Sequence, residues 1–101
     1  MITIEKTIDG DACELKVAGR LDVTAANDAD EAFAKASEEA PNIVLDLTEL
    51  EYIASAGLRA LKRLRGAVRD NGGSLVVRGV QEDVMEVLEM TGFAAMLDFE
   101  D

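Results

Sequence analysis

Residues 42–61 read "NIVLDLTELEYIASAGLRAL". The first six are nearly all apolar, and a short unbroken run of this kind predicts a central strand covered on both faces. A different period follows. Leu58, Leu61, Leu64 and Val68 recur every three or four residues, which predicts a helix over 56–70 with these side chains turned inward. A buried strand feeding an amphipathic helix commits the chain to a β-α-β crossover, which is right-handed in nearly all known cases. Between the two periods stands one hydroxyl, Ser55, held between Ala54 and Ala56 and followed by Gly57.

The rest of the chain is consistent with that centre. Ile2, Ile4 and Ile8 fall on alternate positions, "DGD" at 9–11 signals a turn, and Cys13, Leu15 and Val17 alternate again, so an antiparallel hairpin opens the fold, closed by Gly19 and Arg20. Thr24 has the chemistry of an N-cap for a helix over 25–39, in which Ala25, Ala29, Phe33 and Ala36 share one face and which Pro41 ends. "DNGG" at 70–73 stops the next helix, "SLVVRG" at 74–79 is a second buried strand, and 81–91 is a third helix with Val84, Val87 and Leu88 inward. "FAAMLDF" at 93–99 offers a short edge strand. The expected architecture is a single α/β layered domain over 1–101: a mixed sheet of four to five strands, an N-terminal antiparallel hairpin and then parallel β-α-β crossovers, with helices mainly on one face.

Composition narrows function. The chain has 101 residues, 49% of them apolar, which suits one small domain with one core. No apolar run approaches the roughly 20 residues that cross a bilayer, and the start lacks the basic and apolar regions of a secretory signal, so no membrane insertion is expected. Cys13 is the single cysteine, which points to a reducing cytoplasm and to a small core residue. Ten Lys and Arg face 21 Asp and Glu, a net charge of −11 that repels nucleic acids and anionic membranes. Arg59, Lys62, Arg63, Arg65 and Arg69 make up half of the basic complement; the stripe of Arg59, Lys62, Arg63 and Arg69 is expected to lace to surrounding carboxylates. There is no histidine, hence neither the usual general base nor a zinc site, and no EF-hand spacing or glycine-rich phosphate loop. No catalytic residue, metal or cofactor is expected. Met85, Met90, Phe93 and Met96 are expected in the core.

Ser55 admits two readings. It falls where a strand's exit loop becomes a helix, the place of an N-cap whose oxygen accepts from free backbone N–H groups. Alternatively it is a hydroxyl acted upon by another protein. Ala54 and Ala56 leave it uncrowded, Gly57 allows close approach, and a phosphate there meets a favourable helix dipole, with Arg59 one turn on. Without His or a reactive Cys beside it, and outside any nucleophile elbow, Ser55 is not read as a nucleophile.

Element order and residues together resemble the STAS domain, as found in stand-alone anti-sigma-factor antagonists. "GRLDVTAA" at 19–26 is similar to the family's Gly-x-Leu/Ile-Asp segment, residues 42–61 to its signature of apolar strand, Asp-Leu-Ser/Thr and serine-rich loop ending in Gly-Leu, and "TGF" at 91–93 to a C-terminal motif. The resemblance implies a regulatory binding module, not an enzyme. Its partners would be an anti-sigma factor that is also a serine kinase, and a phosphatase that resets it. Ser55 would be the phosphoacceptor, and Asp22, Ala54, Ala56, Gly57, Leu58 and Arg59 the partner-binding loop around it. Where the family often reads Asp-Ser-Ser/Thr-Gly, this chain reads "ASAG". A STAS adaptor or scaffold that never takes phosphate is the second reading, and a small enzyme or nucleotide sensor the third.

Overall fold

The computed structural model describes residues 2–100. Strand β1 (Ile2–Asp9) turns at Gly10, φ 63°, and pairs antiparallel with β2 (Ala12–Leu21), placing Ile4 opposite Val17 and Ile8 opposite Cys13. Helix α1 (Ala26–Glu39) crosses to β3 (Asn42–Asp46), which lies parallel to β2 with Leu45 opposite Leu15. Strand β4 (Leu50–Ile53) leads into helix α2 (Ser55–Asp70), which returns to β5 (Ser74–Arg78), parallel to β3. Helix α3 (Glu82–Met90), a 3₁₀ turn at Phe93–Met96 and β6 (Asp98–Glu100), parallel to β5, complete the described chain. The sheet runs β1-β2-β3-β5-β6, with β4 pairing β2 off that path.

The mixed α/β sheet, its hairpin and its parallel crossovers agree with the sequence reading, but the strands number six rather than four to five. The unforeseen strand is β4. Its residues run buried, exposed, exposed, buried, so no alternation marks it. The register of β2 against β4 shifts between Gly19 and Arg20, and such an irregularity breaks the period-two pattern that sequence reading depends on.

Helices cover one face of the sheet. Cys13, Leu15, Val17, Ile43, Leu45, Leu75 and Val77 turn toward α1 and α2 and are buried with Phe33, Leu61, Leu64 and Val68. The expectation that β3 is covered on both faces is corrected: Val44 and Val76 are half-buried on the other face, among Glu14, Lys16 and Arg78. There Arg78 bridges Glu14 and Glu100, and its aliphatic stem shields the strands beneath. In α3, Val84 and Leu88 are buried and Val87 only partly, while Met90 is 79% exposed, so the methionines do not form a core group. Cys13 is fully buried, and burial pushes its thiol pKa up, as befits an unreactive packing residue.

Two tight places brace the strand ends. Asp46, at the end of β3, accepts hydrogen bonds from Thr48 N at 2.9 Å and Thr48 Oγ1 at 2.6 Å. Burial pushes its carboxyl up, but the Thr48 bonds, together with Lys16 and Arg78, outweigh this and leave it below the ordinary carboxylate range. Gly73, between α2 and β5, sits so close to the α1–β3 connection that a Cβ there would lie 1.6 Å from the Pro41 carbonyl oxygen.

Two outcomes follow for stability. Gly73→Ala should lower the denaturation free energy by about 1–3 kcal/mol through backbone displacement, whereas Gly66→Ala, in the middle of α2 with nothing within 4 Å of the new methyl, should raise it by about 0.5–1 kcal/mol. Chemical denaturation midpoints distinguish the signs. Because folding holds Asp46 below its unfolded pKa, the stability it contributes is complete above about pH 4 and is lost as pH falls through the folded value. Asp46→Asn should therefore cost about 1.5 kcal/mol at neutral pH and flatten the acid limb of a stability–pH curve. An unchanged acid limb would show that Asp46 is not the titrating group.

Candidate functional site: the Ser55 loop

The loop is built by the end of β2. Leu21 pairs with Ile53, Gly19 N donates to the Glu49 carbonyl at 3.0 Å, and Ala54 N donates to the Leu21 carbonyl at 2.9 Å. Ala54 is extended, with φ −99° and ψ 173°, and its carbonyl accepts the first bond of α2 from Leu58 N at 3.0 Å. Ala54 is therefore the N-cap residue, and Ser55 is the first residue of the helix.

That one-residue offset takes Ser55 out of the N-cap position. No side chain caps α2, and its first turn holds no acid. Ser55 is exposed, and among the described residues its hydroxyl makes no hydrogen bond. The capping role is not taken up. The hydroxyl stands in solvent beside helix N–H groups that have no intrahelical partner.

Its neighbours divide sharply. Ala56, Gly57 and Leu58 are buried, Ala54 is half-buried, and Arg59 is exposed. Gly57 does not open the loop to a visitor, as the sequence suggested. A Cβ there would lie 2.7 Å from Leu21 Cγ and 2.9 Å from the Leu21 carbonyl oxygen, so glycine is required for α2 to dock against β2. Ala56 and Leu58 likewise face inward, and the solvent-facing part of the loop is Ser55 and Arg59 with part of Ala54.

Asp22 follows Leu21 and so lies beside this loop. Its Oδ1 accepts from Thr24 Oγ1 at 2.8 Å and from Ala25 N at 3.1 Å. The Thr24 hydroxyl first, then the Ala25 amide, hold its carboxyl below the ordinary range. Thr24 is thus not the N-cap of α1; Ala25 takes that position and Thr24 donates to Asp22 instead. Asp22 builds the turn into α1 while remaining half-exposed.

Two features escaped the sequence reading. The Arg20 guanidinium sits over the Tyr52 ring, 4.3 Å from its centroid, and Val23 is 71% exposed in the turn after β2. Tyr52 was unreadable as a surface residue because β4 itself was unread. Among the described residues no three His, Cys, Asp or Glu side chains converge as metal ligands would. The site presents an exposed hydroxyl at the start of a helix, with the Asp22 carboxylate at the neighbouring end of β2 already engaged by Thr24 and Ala25.

Known proteins share this fold. The crystal structure of an anti-sigma factor antagonist from Mycobacterium paratuberculosis superimposes with a TM-score of 0.87, over 98% of this chain and 85% of that one, at 20% identity. The antagonist SpoIIAA matches over 100% of this chain at 13% identity: its unphosphorylated form with a TM-score of 0.75 over 88% of its length, and its phosphorylated form, from Bacillus, with 0.74 over 92%. At these identities the likeness is one of fold. In sequence, 54 residues are 41% identical to BtrV of Bordetella bronchiseptica, which carries an anti-sigma factor antagonist designation; they span 54% of this chain and 47% of that protein, so about half of its length is matched. Residues 3–101 match the STAS domain family model, and with nearly every residue covered the chain belongs to the STAS domain family.

Proposed function

We propose that this STAS domain is an anti-sigma factor antagonist whose hold on its partner is released by phosphate on Ser55. The observation that carries the proposal is the exposed, unbonded Ser55 hydroxyl at the first position of α2. Ser55 is also the single Ser or Thr between Thr48 and Ser74, and the Thr48 hydroxyl is already committed to Asp46. The antagonist designations of the similar proteins support the role. The near-equal likeness to SpoIIAA with and without phosphate, TM-scores of 0.74 and 0.75, supports a switch that leaves the fold unchanged.

The energetics suffice. A phosphate adds about −1.5 to −2 charge. One like charge about 4 Å away at a surface-like dielectric costs on the order of 4 kcal/mol, and about 2.8 kcal/mol already weakens binding a hundredfold. On this reading the protein is a binding module of the bacterial cytoplasm rather than an enzyme. Its partners are an anti-sigma factor with serine kinase activity and a phosphatase that restores the free hydroxyl. A second reading, an adaptor that never takes phosphate, draws on Ala54 and Ala56, which stand where the family often carries an acid and a second hydroxyl.

Incubation with a cognate anti-sigma factor kinase and ATP should place one phosphate on Ser55, located by mass spectrometry, and Ser55→Ala should abolish it. Labelling that survives Ser55→Ala would remove Ser55 as the acceptor. Ser55→Asp should weaken partner binding at least about tenfold; unchanged binding would favour the adaptor.

A further inference from the structure

We infer that the outward stripe of α2, formed by Arg59, Lys62 and Arg69 with Gly66 between them, docks an acidic helical segment of a protein partner. Positions 55, 59, 62, 66 and 69 follow one another at helical spacing, so the stripe begins at Ser55 and runs down one side of α2. Ser55, Arg59, Lys62 and Arg69 are exposed and Gly66 half-exposed. From Arg59 to Arg69 the stripe spans about 15 Å, the rise of ten helical residues.

The sequence reading expected these cations to lace to nearby carboxylates, and with 21 acids to 10 bases every one of them has candidates. The structure engages five of the other seven, and Lys16 and Lys35, which lie off α2, are without an ion pair among the described residues. Lys6 meets Glu39, Arg63 meets Asp30, and Arg78 meets Glu14 and Glu100. Arg65 donates to the Met96 carbonyl, and Arg20 lies over Tyr52. Among the described residues no ion pair forms at Arg59, Lys62 or Arg69. Like charges one turn apart repel, and α2 has no acid in its first turn to offset them. An acidic chain that leaves three unpaired cations in one line on α2, leading away from an exposed hydroxyl, keeps a local positive field on a negative molecule.

The surface next to the stripe says what form the acids take. Between α1 and α2 runs a groove of about 540 Å³, lined by Phe33, Ala34, Ala60, Leu64 and Ala67, with the Asp30–Arg63 pair on the side nearer the stripe and Glu38 on the α1 side, away from where the partner's carboxylates would lie. Gly66 has open space above it, so another backbone can come close. An amphipathic helix fits both features: its apolar side lies along the groove and its carboxylates meet the stripe. Duplex nucleic acid fits less well, since three cations offer few phosphate contacts against a net charge of −11. The inference rests on the proposed function, because it names the chemistry of the partner surface that phosphate on Ser55 would oppose. A dianion at the tip of the stripe would neutralise Arg59 and repel the partner's carboxylates.

The test is an NMR titration of the ¹⁵N-labelled chain with a synthetic amphipathic peptide of about four helical turns, Leu on one side and Glu on the other. Shift changes should cluster at 59, 62, 66 and 69 and along the groove, and binding should weaken as salt is raised. Lys62→Glu combined with Arg69→Glu should weaken it at least about tenfold, and Lys62→Gln with Arg69→Gln by less, each variant keeping a well-dispersed spectrum. A peptide with Lys in place of Glu, and a short DNA duplex, should leave the spectrum unchanged. Shifts elsewhere on the protein, indifference to charge reversal, or DNA binding as tight as the peptide's would overturn the inference. Ser55 labelling is a separate readout. Labelling without peptide binding overturns the docking surface and leaves the switch, while peptide binding without labelling supports the surface and removes the switch.

Discussion

One main-chain hydrogen bond, from Ala54 N to the Leu21 carbonyl, ties together the parts of this protein on which everything else turns. It ends the pairing of β4 with β2, brings Asp22 beside the loop, and sets the residue from which α2 starts. Its geometry requires the first turn of α2 to lie almost on β2, which only a glycine at 57 permits, since a methyl there would press on Leu21 and Ile53. With Ala56 and Leu58 pinned inward by the same contact, Ser55 is the residue left outside. The exposure of the hydroxyl is thus a consequence of how tightly its neighbours are buried.

Much of this was legible in residue order because period and burial agree. The stripe Leu58, Leu61, Leu64 and Val68 announces α2, and all four are buried as the spacing requires. The alternation Cys13, Leu15 and Val17 does the same for β2. Reading failed where a tertiary contact overrides the local rule. Strand β4 is held by a shifted register against β2, so its buried residues do not alternate. Thr24 and Ser55 both have N-cap chemistry, yet neither caps. Asp22 captures the Thr24 hydroxyl, and the Leu21–Ala54 bond starts the second helix one residue early. A propensity worth about 1 kcal/mol yields to a strand pairing of this kind.

The apolar run of β3 misled for a different reason. Val44 and Val76 do not face a second helical layer; they sit among Glu14, Lys16 and Arg78 on the uncovered side of the sheet. Aliphatic stems of charged residues can cover short β-branched side chains, so a nearly continuous apolar strand does not by itself demand helices on both faces. What it demands is that its few polar neighbours be long, which Glu14, Lys16 and Arg78 are.

Charge then separates two regions of the surface. On the open sheet face and at the hairpin, acids and bases form pairs, as the Glu14–Arg78–Glu100 chain and the Lys6–Glu39 pair show. On the outer side of α2 they do not, and nothing in the local packing prevents an acid from being there, because the positions are exposed. A loop that displays one hydroxyl, continued by an unneutralised positive line, places that hydroxyl and the charge on one helix. On the proposed reading, a phosphate of about two charge units at the head of that line would alter its field without moving a strand, so the fold would stay fixed while the surface it presents changed sign locally.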